Sequence, residues 1–139
     1  MATGGIASRN SAGWRSGEAA LALGAAGVQV GTAYLLCPEA TTTPMHRAAL
    51  RSASARHTAL TNLFTGRPSR GIVNRVMRNL GPMYVAAPRF PGAAPFMAPL
   101  RARAESAGSG DFSPLWCGQN ASGCRAAPAG ELTRALAAI

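Results

Sequence analysis

The stretch Ala19-Ala20-Leu21-Ala22-Leu23-Gly24-Ala25-Ala26-Gly27-Val28-Gln29-Val30-Gly31-Thr32-Ala33-Tyr34-Leu35 decides how this 139-residue chain is read. Its first part closes an Ala-Leu helix expected over residues 16–24, with Ser16 as N-cap, Glu18 in the first turn and Gly24 as terminator. The apolar run Gly27-Val28-Gln29-Val30 follows, read as a buried strand over 27–31, and it ends on the turn Gly31-Thr32. A second Gly-rich turn, Gly4-Gly5-Ile6, stands one helix-length upstream. When consecutive parallel strands each end in glycine, backbone N–H groups at the strand ends and at the next helix start converge on a small space where a phosphate can sit. Taken alone, the same glycines also fit plain tight strand-to-helix turns.

Further along, Pro38 breaks the chain and Pro44 to Ser54 suits a short helix. Residues 58–64 are β-prone and end at Thr65-Gly66. From Pro68 to Leu80, Ile72, Val73, Val76, Met77 and Leu80 share one face while Arg70, Asn74, Arg75 and Arg78 take the other. That spacing predicts an amphipathic helix stopped by Gly81-Pro82. Five prolines between 82 and 99 argue for an irregular connector. Short helices are expected at about 97–107, 113–121 and 128–138, with Ser113-Pro114 and Pro128 as starts. The division that follows is 1–81, then the Pro-rich connector 82–99, then a helical segment 100–139.

Composition sets limits on function. Hydrophobic residues make up 47% of the chain, which suits a protein able to bury a core. All 14 basic residues are Arg, against five acids, for a net charge of +9. Such a balance suggests nucleic acid, but the arginines are scattered and no aromatic-basic platform accompanies them, so no nucleic-acid partner is expected. Cys37, Cys117 and Cys124 leave one thiol over in any pairing, and no spacing matches a zinc site. Reduced thiols, no metal and a cytoplasmic protein are therefore expected. The longest apolar stretch, Ala19 to Cys37, is interrupted by glycines, Gln29 and Thr32 and is too weakly hydrophobic for a bilayer, so no membrane partner is expected either.

The opening stretch does not stand alone. Cys37-Pro38-Glu39-Ala40, His46-Arg47-Ala48-Ala49-Leu50, Thr58-Ala59-Leu60-Thr61-Asn62-Leu63-Phe64-Thr65-Gly66-Arg67-Pro68, Gly71-Ile72-Val73-Asn74, Gly108-Ser109-Gly110-Asp111-Phe112 and Trp116-Cys117-Gly118-Gln119 follow it. In this order the blocks resemble the C-terminal part of the nitronate monooxygenases, formerly called 2-nitropropane dioxygenases. The likeness covers nearly the whole chain, and Thr-Gly-Arg-Pro followed by Trp-x-Gly-Gln is its most specific element.

That resemblance implies an α/β fold: the C-terminal portion of an FMN-binding (β/α)₈ TIM barrel, mostly helical with two or three short strands. A complete barrel of this kind runs to roughly 250 residues, so the chain is expected to be the last part of one, inactive by itself. Residues 1–81 would then be the last βα units with the phosphate cradle. The resemblance assigns the FMN phosphate to Gly5 and to Gln29, Val30, Gly31 and Thr32, through backbone N–H groups, with the Thr32 hydroxyl as an added donor. Between the two turns, Ala7 to Gly17 is a few residues longer than the family usually has. The implied substrates are an alkyl nitronate and O2. The family's general base, a His, lies upstream of every block quoted; neither His46 nor His57 matches it, so no catalytic residue is assigned. A flavin-dependent enoyl reductase of the same barrel group, or a non-catalytic degenerate fragment, are the alternatives.

Overall fold

The computed structural model describes residues 14–138. Five α-helices and one two-stranded sheet are described: α1 (Trp14–Ala22), α2 (Pro44–Arg51), β1 (Thr58–Thr61), β2 (Ser69–Ile72), α3 (Arg75–Leu80), α4 (Ala93–Ser106) and α5 (Ala129–Ala137). Two 3₁₀ helices join them, Thr32–Leu36 and Ala53–Arg56. The chain divides into two compact units: one runs to Thr42 and resumes at Gly118, and the other is Thr43–Cys117.

In the first unit α1 ends as its glycine predicts. Gly24 takes φ +87°, its N–H donates to Leu21 O at 2.9 Å, and the Ala25 N–H reaches back to Ala20 O at 3.0 Å. This is the paired-bond helix ending that a left-handed glycine permits. The strand expected over 27–31 is not formed: only Val28 makes a β-bridge, and Val28, Gln29 and Gly31 are exposed. A short apolar run becomes a strand only where neighbours pair with it along its length, and flanking Gly27 and Gly31 contribute no side chain to hold one. The core lies after it instead, where Ala33, Cys37 and Leu132 pack together with Val30, Tyr34, Ala129 and Leu136. Helix α5 has no side-chain cap of its own at Pro128; the Glu39 carboxylate supplies one from far away in sequence, accepting the Ala129 N–H at 2.9 Å.

In the second unit β1 and β2 form an antiparallel hairpin, Thr58 opposite Ile72 and Thr61 opposite Ser69. The amphipathic helix expected over 68–80 is therefore split. Its first residues are drawn into β2, where hairpin pairing and the β-branched Ile72 outweigh the helical spacing, and the helix starts only at Arg75, capped by Asn74. The helix expected at 113–121 is also absent. Residues 115–117 run beside β2 instead, the Ile72 N–H donating to Leu115 O at 2.8 Å and the Cys117 N–H to Arg70 O at 3.1 Å. Gly71 makes this approach possible, since a Cβ there would stand 3.0 Å from Leu115 O. Helix α4 begins earlier than expected, at Ala93, so Pro95 falls in its first turn, where proline is tolerated, and Pro99 falls inside it. Leu63, Phe64, Val76 and Met77 form the core, with the Phe64 and Trp116 rings edge-to-face at 5.7 Å.

Candidate functional site: the Gly31 turn

Gly5 lies outside the described residues, as does most of the lengthened Ala7–Gly17 turn, so the described part of the expected cradle is Gln29 to Thr32. Gln29 is exposed and Val30 half-buried, its side chain resting on the Ala33–Cys37–Leu132 cluster. Gly31 is exposed and stands at the N-cap position of the 3₁₀ helix with φ −113° and ψ −56°, and no side chain caps it. The Tyr34 N–H closes the first turn on Gly31 O at 3.0 Å. The N–H groups before it, at the helix start, have no carbonyl partner within the helix. An exposed helix start with no side chain in front of it is compatible with an anion.

Thr32 is placed differently from its neighbours. It is 4% exposed, and its hydroxyl oxygen accepts the Gly118 N–H at 2.9 Å. Its carbonyl takes the Cys124 thiol at 3.5 Å. The side chain expected to face a phosphate thus ties the Gly-Thr turn to Gly118, and so joins two sequence blocks that lie 86 positions apart. Nothing in the local sequence signals that pairing.

The two histidines stand in the other unit. His46 lies on α2, where its Nε2 meets Trp116 O at 2.9 Å; with a carbonyl as partner, that nitrogen donates. Burial holds its imidazole below the ordinary histidine range, against the opposing pull of the Trp116 carbonyl. A ring held neutral and committed to a backbone carbonyl fastens α2 to the strand-like segment beside β2. His57 follows the second 3₁₀ helix and is exposed. Arg67 of the Thr-Gly-Arg-Pro block and Arg70 just after it are structural as well: Arg67 covers the Phe90 ring at 4.2 Å, and Arg70 donates across the hairpin to Thr58 O at 3.2 Å.

All three cysteines are thiols outside any disulfide. Burial raises Cys117 above the usual thiol range, and Cys37 and Cys117 are 1% and 2% exposed, whereas Cys124 is half-buried. In the native protein a thiol reagent is expected to modify one cysteine, Cys124, with the other two reacting only on unfolding. Mass-spectrometric mapping of the labelled peptides tests this, and fast native labelling of Cys117 would contradict it. Among the described residues no group of three or more His, Cys, Asp or Glu is placed to hold a metal ion, and no helix is long and apolar enough to cross a membrane.

The family described as "Nitronate monooxygenase" matches residues 1–138. The nitronate monooxygenase of Pseudomonas aeruginosa is 40% identical over 120 residues, covering 86% of this chain and 34% of that protein. A probable nitronate monooxygenase of Bacillus subtilis is 36% identical over 105 residues, covering 76% of this chain and 30% of its own length. The chain spans about a third of the curated relatives it matches. Among solved structures, a nitroalkane oxidase from Streptomyces ansochromogenes superposes with a TM-score of 0.83 at 38% identity, over 96% of this chain and 38% of that one. FabK from Thermotoga maritima gives 0.69 at 26% identity, over 96% and 42%. These neighbours are TIM-barrel enzymes, and the α/β fold seen here is a portion of theirs. A match running through both units, from the Gly-Thr turn to α5, shows that the chain belongs to the nitronate monooxygenase family.

Proposed function

We propose that this chain contributes the phosphate-binding end of an FMN-dependent oxidation of alkyl nitronates by O2. The observation that carries this reading is the exposed, uncapped Gly31 turn within a chain matched by the family from residue 1 to residue 138. The bound flavin would supply the redox chemistry, taking electrons from the substrate and passing them to O2. The chain's own part is binding. Backbone N–H groups at Gly31 and Thr32 hold the phosphate, Gln29 and Val30 lead the backbone into position, and Gly5 completes the cradle from the upstream turn. The Thr32 hydroxyl, through Gly118, keeps the turn from shifting. His46 serves as a fastener and not as a base, because its Nε2 is committed to Trp116 O.

The 40% identity to a nitronate monooxygenase and the close superposition on a nitroalkane oxidase put this reading ahead of an enoyl reductase. For the 139-residue chain taken alone the proposal is narrower: it grips a phosphate and does not turn over nitronate. Flavin titration followed by fluorescence is expected to show weak binding of FMN and weaker binding of riboflavin, which lacks the phosphate. Gly31→Val should erase the difference, since a β-branched side chain would block the approach of a phosphate to the backbone. A purified yellow protein with one flavin per chain, or nitronate-dependent oxygen uptake by the isolated chain, would overturn the narrower claim. Equal binding of FMN and riboflavin would overturn the cradle.

A further inference from the structure

Helix α5 and the Cys37-Pro38-Glu39-Ala40 block converge on the short 3₁₀ helix that carries the Gly31 turn, although neither supplies a phosphate donor. That 3₁₀ helix has five residues, closed by bonds from the Tyr34 N–H to Gly31 O at 3.0 Å and from the Cys37 N–H to Tyr34 O at 3.1 Å. A 3₁₀ segment so short is poorly bonded within itself and takes its position from what packs against it. Here α5 does so. Ala129, Leu132 and Leu136 recur at i, i+3 and i+7 and share one face of α5, and they form one cluster with Val30, Ala33 and Cys37. Val30 and Ala33 stand immediately before and after Gly31-Thr32, so this contact straddles the turn.

Two polar bonds fix α5 in that place. The Thr133 hydroxyl donates its hydrogen to Ala129 O at 2.8 Å, so the Tyr34 hydroxyl is the donor in the 2.9 Å bond between the two side chains. At the start of α5 Pro128 makes no side-chain cap, and Glu39 Oε1 accepts the Ala129 N–H at 2.9 Å. A carboxylate in that position is favoured by the helix dipole as well as by the bond. Without it the first turn of α5 frays, and that turn contains Ala129 and Leu132, two of the residues packed on the 3₁₀ helix. Gly31 precedes that helix and Glu39 follows its end at Leu36. At about 2 Å per residue the two ends lie about 10 Å apart, so the carboxylate acts through α5 and not on a phosphate.

We propose that Glu39 and Tyr34 are positioning residues for the flavin phosphate: through α5 they hold the 3₁₀ helix where the backbone N–H groups at Gly31 and Thr32 can meet the anion. Such donors must be placed to within about 0.5 Å, a tolerance that a frayed α5 exceeds. This role rests on the phosphate reading of the Gly31 turn, and it extends that reading to residues that never touch the flavin.

The test titrates the full chain with FMN and with riboflavin, followed by flavin fluorescence. In Glu39→Ala the affinity for FMN should fall about three- to tenfold, a loss that removal of an N-cap supports. Riboflavin, which has no phosphate for the turn to hold, should bind as before. Glu39→Gln should recover most of the loss, because its amide oxygen still accepts the Ala129 N–H. General loosening of the fold would instead lower both flavins, and a pure charge effect would move the Gln and Ala variants alike. Tyr34→Phe keeps the ring in the cluster, removes the bond to Thr133 and should lower FMN affinity by less. With a wild type that prefers FMN, three results would each overturn the proposal and leave the cradle standing: unchanged FMN affinity in Glu39→Ala, equal losses for the two flavins, or no recovery in Glu39→Gln. A wild-type chain that binds the two flavins equally overturns the cradle, and this positioning role with it.

Discussion

Replacing Asn74 by Leu is expected to destabilise the Thr43–Cys117 unit by about 3 kcal/mol or more, which is large against a typical folding stability of about 5–15 kcal/mol. Asn74 is 5% exposed and uses its whole side chain. Its Oδ1 accepts the Met77 N–H at 3.4 Å and caps α3, while Nδ2 donates to Gly110 O and to Ser113 O, each at 3.0 Å. Losing the cap alone costs about 0.5–2 kcal/mol. The Ser113 carbonyl, deprived of that donor, adds about 1–3 kcal/mol, while Gly110 O keeps the Ser113 N–H at 3.1 Å. Asn74→Asp separates the two contributions: the carboxylate still caps α3, and at a helix N-terminus it does so well, but it sets an oxygen against two carbonyl oxygens. Denaturant unfolding is therefore expected to show Asn74→Asp nearly as damaging as Asn74→Leu. An Asp variant of wild-type stability would mean that the cap alone matters and that the bridge to 110–113 contributes nothing.

Gly66→Ala is expected to be comparably severe for a different reason. Gly66 sits at φ +85°, and a Cβ there would fall on the backbone of Pro88, Arg89 and Phe90, 2.5 Å from the Pro88 carbonyl oxygen. The backbone conformation costs a residue with a side chain about 1–3 kcal/mol, and forcing packed backbone apart adds about 1–3 kcal/mol. Gly81 provides the control. Its φ is +80°, and a Cβ added there would meet nothing within 4 Å, so Gly81→Ala carries only the first cost. The difference between the two variants in thermal unfolding measures how tightly the hairpin turn is pressed against the 88–90 loop. Equal shifts in melting temperature would show that the loop yields.

Some features of this chain were legible because a short-range rule governs them. Gly24 ends α1 because a left-handed residue closes the last turn, and Thr43-Pro44 starts α2 with the Thr43 hydroxyl accepting the His46 N–H and proline in the first turn. The β-prone run at 58–64 supplied β1. The family was legible as well, since its blocks of residue types run in order along nearly the whole chain.

Other features were decided by contacts between residues distant in sequence. The apolar and polar faces over 68–80 have helical spacing, yet Ser69–Ile72 joins β1, because pairing with Thr58–Thr61 and with residues 115–117 satisfies backbone groups on both edges of that strand at once. Asn74 reads as one more polar residue on a solvent face; only the return of the chain at 110–113 makes it a buried three-way bridge. Glu39 capping α5, Asn62 gripping Tyr84 and Thr32 receiving Gly118 follow the same logic. Sequence by itself thus determined the family, through ordered blocks spread along the chain, and the end of α1 and the start of α2, which depend on residues within about one helical turn of each other. Tertiary structure alone decided the split of the 68–80 segment and the partners of the buried polar side chains, because a polar group finds its partner by distance in space, which spacing along the chain does not encode.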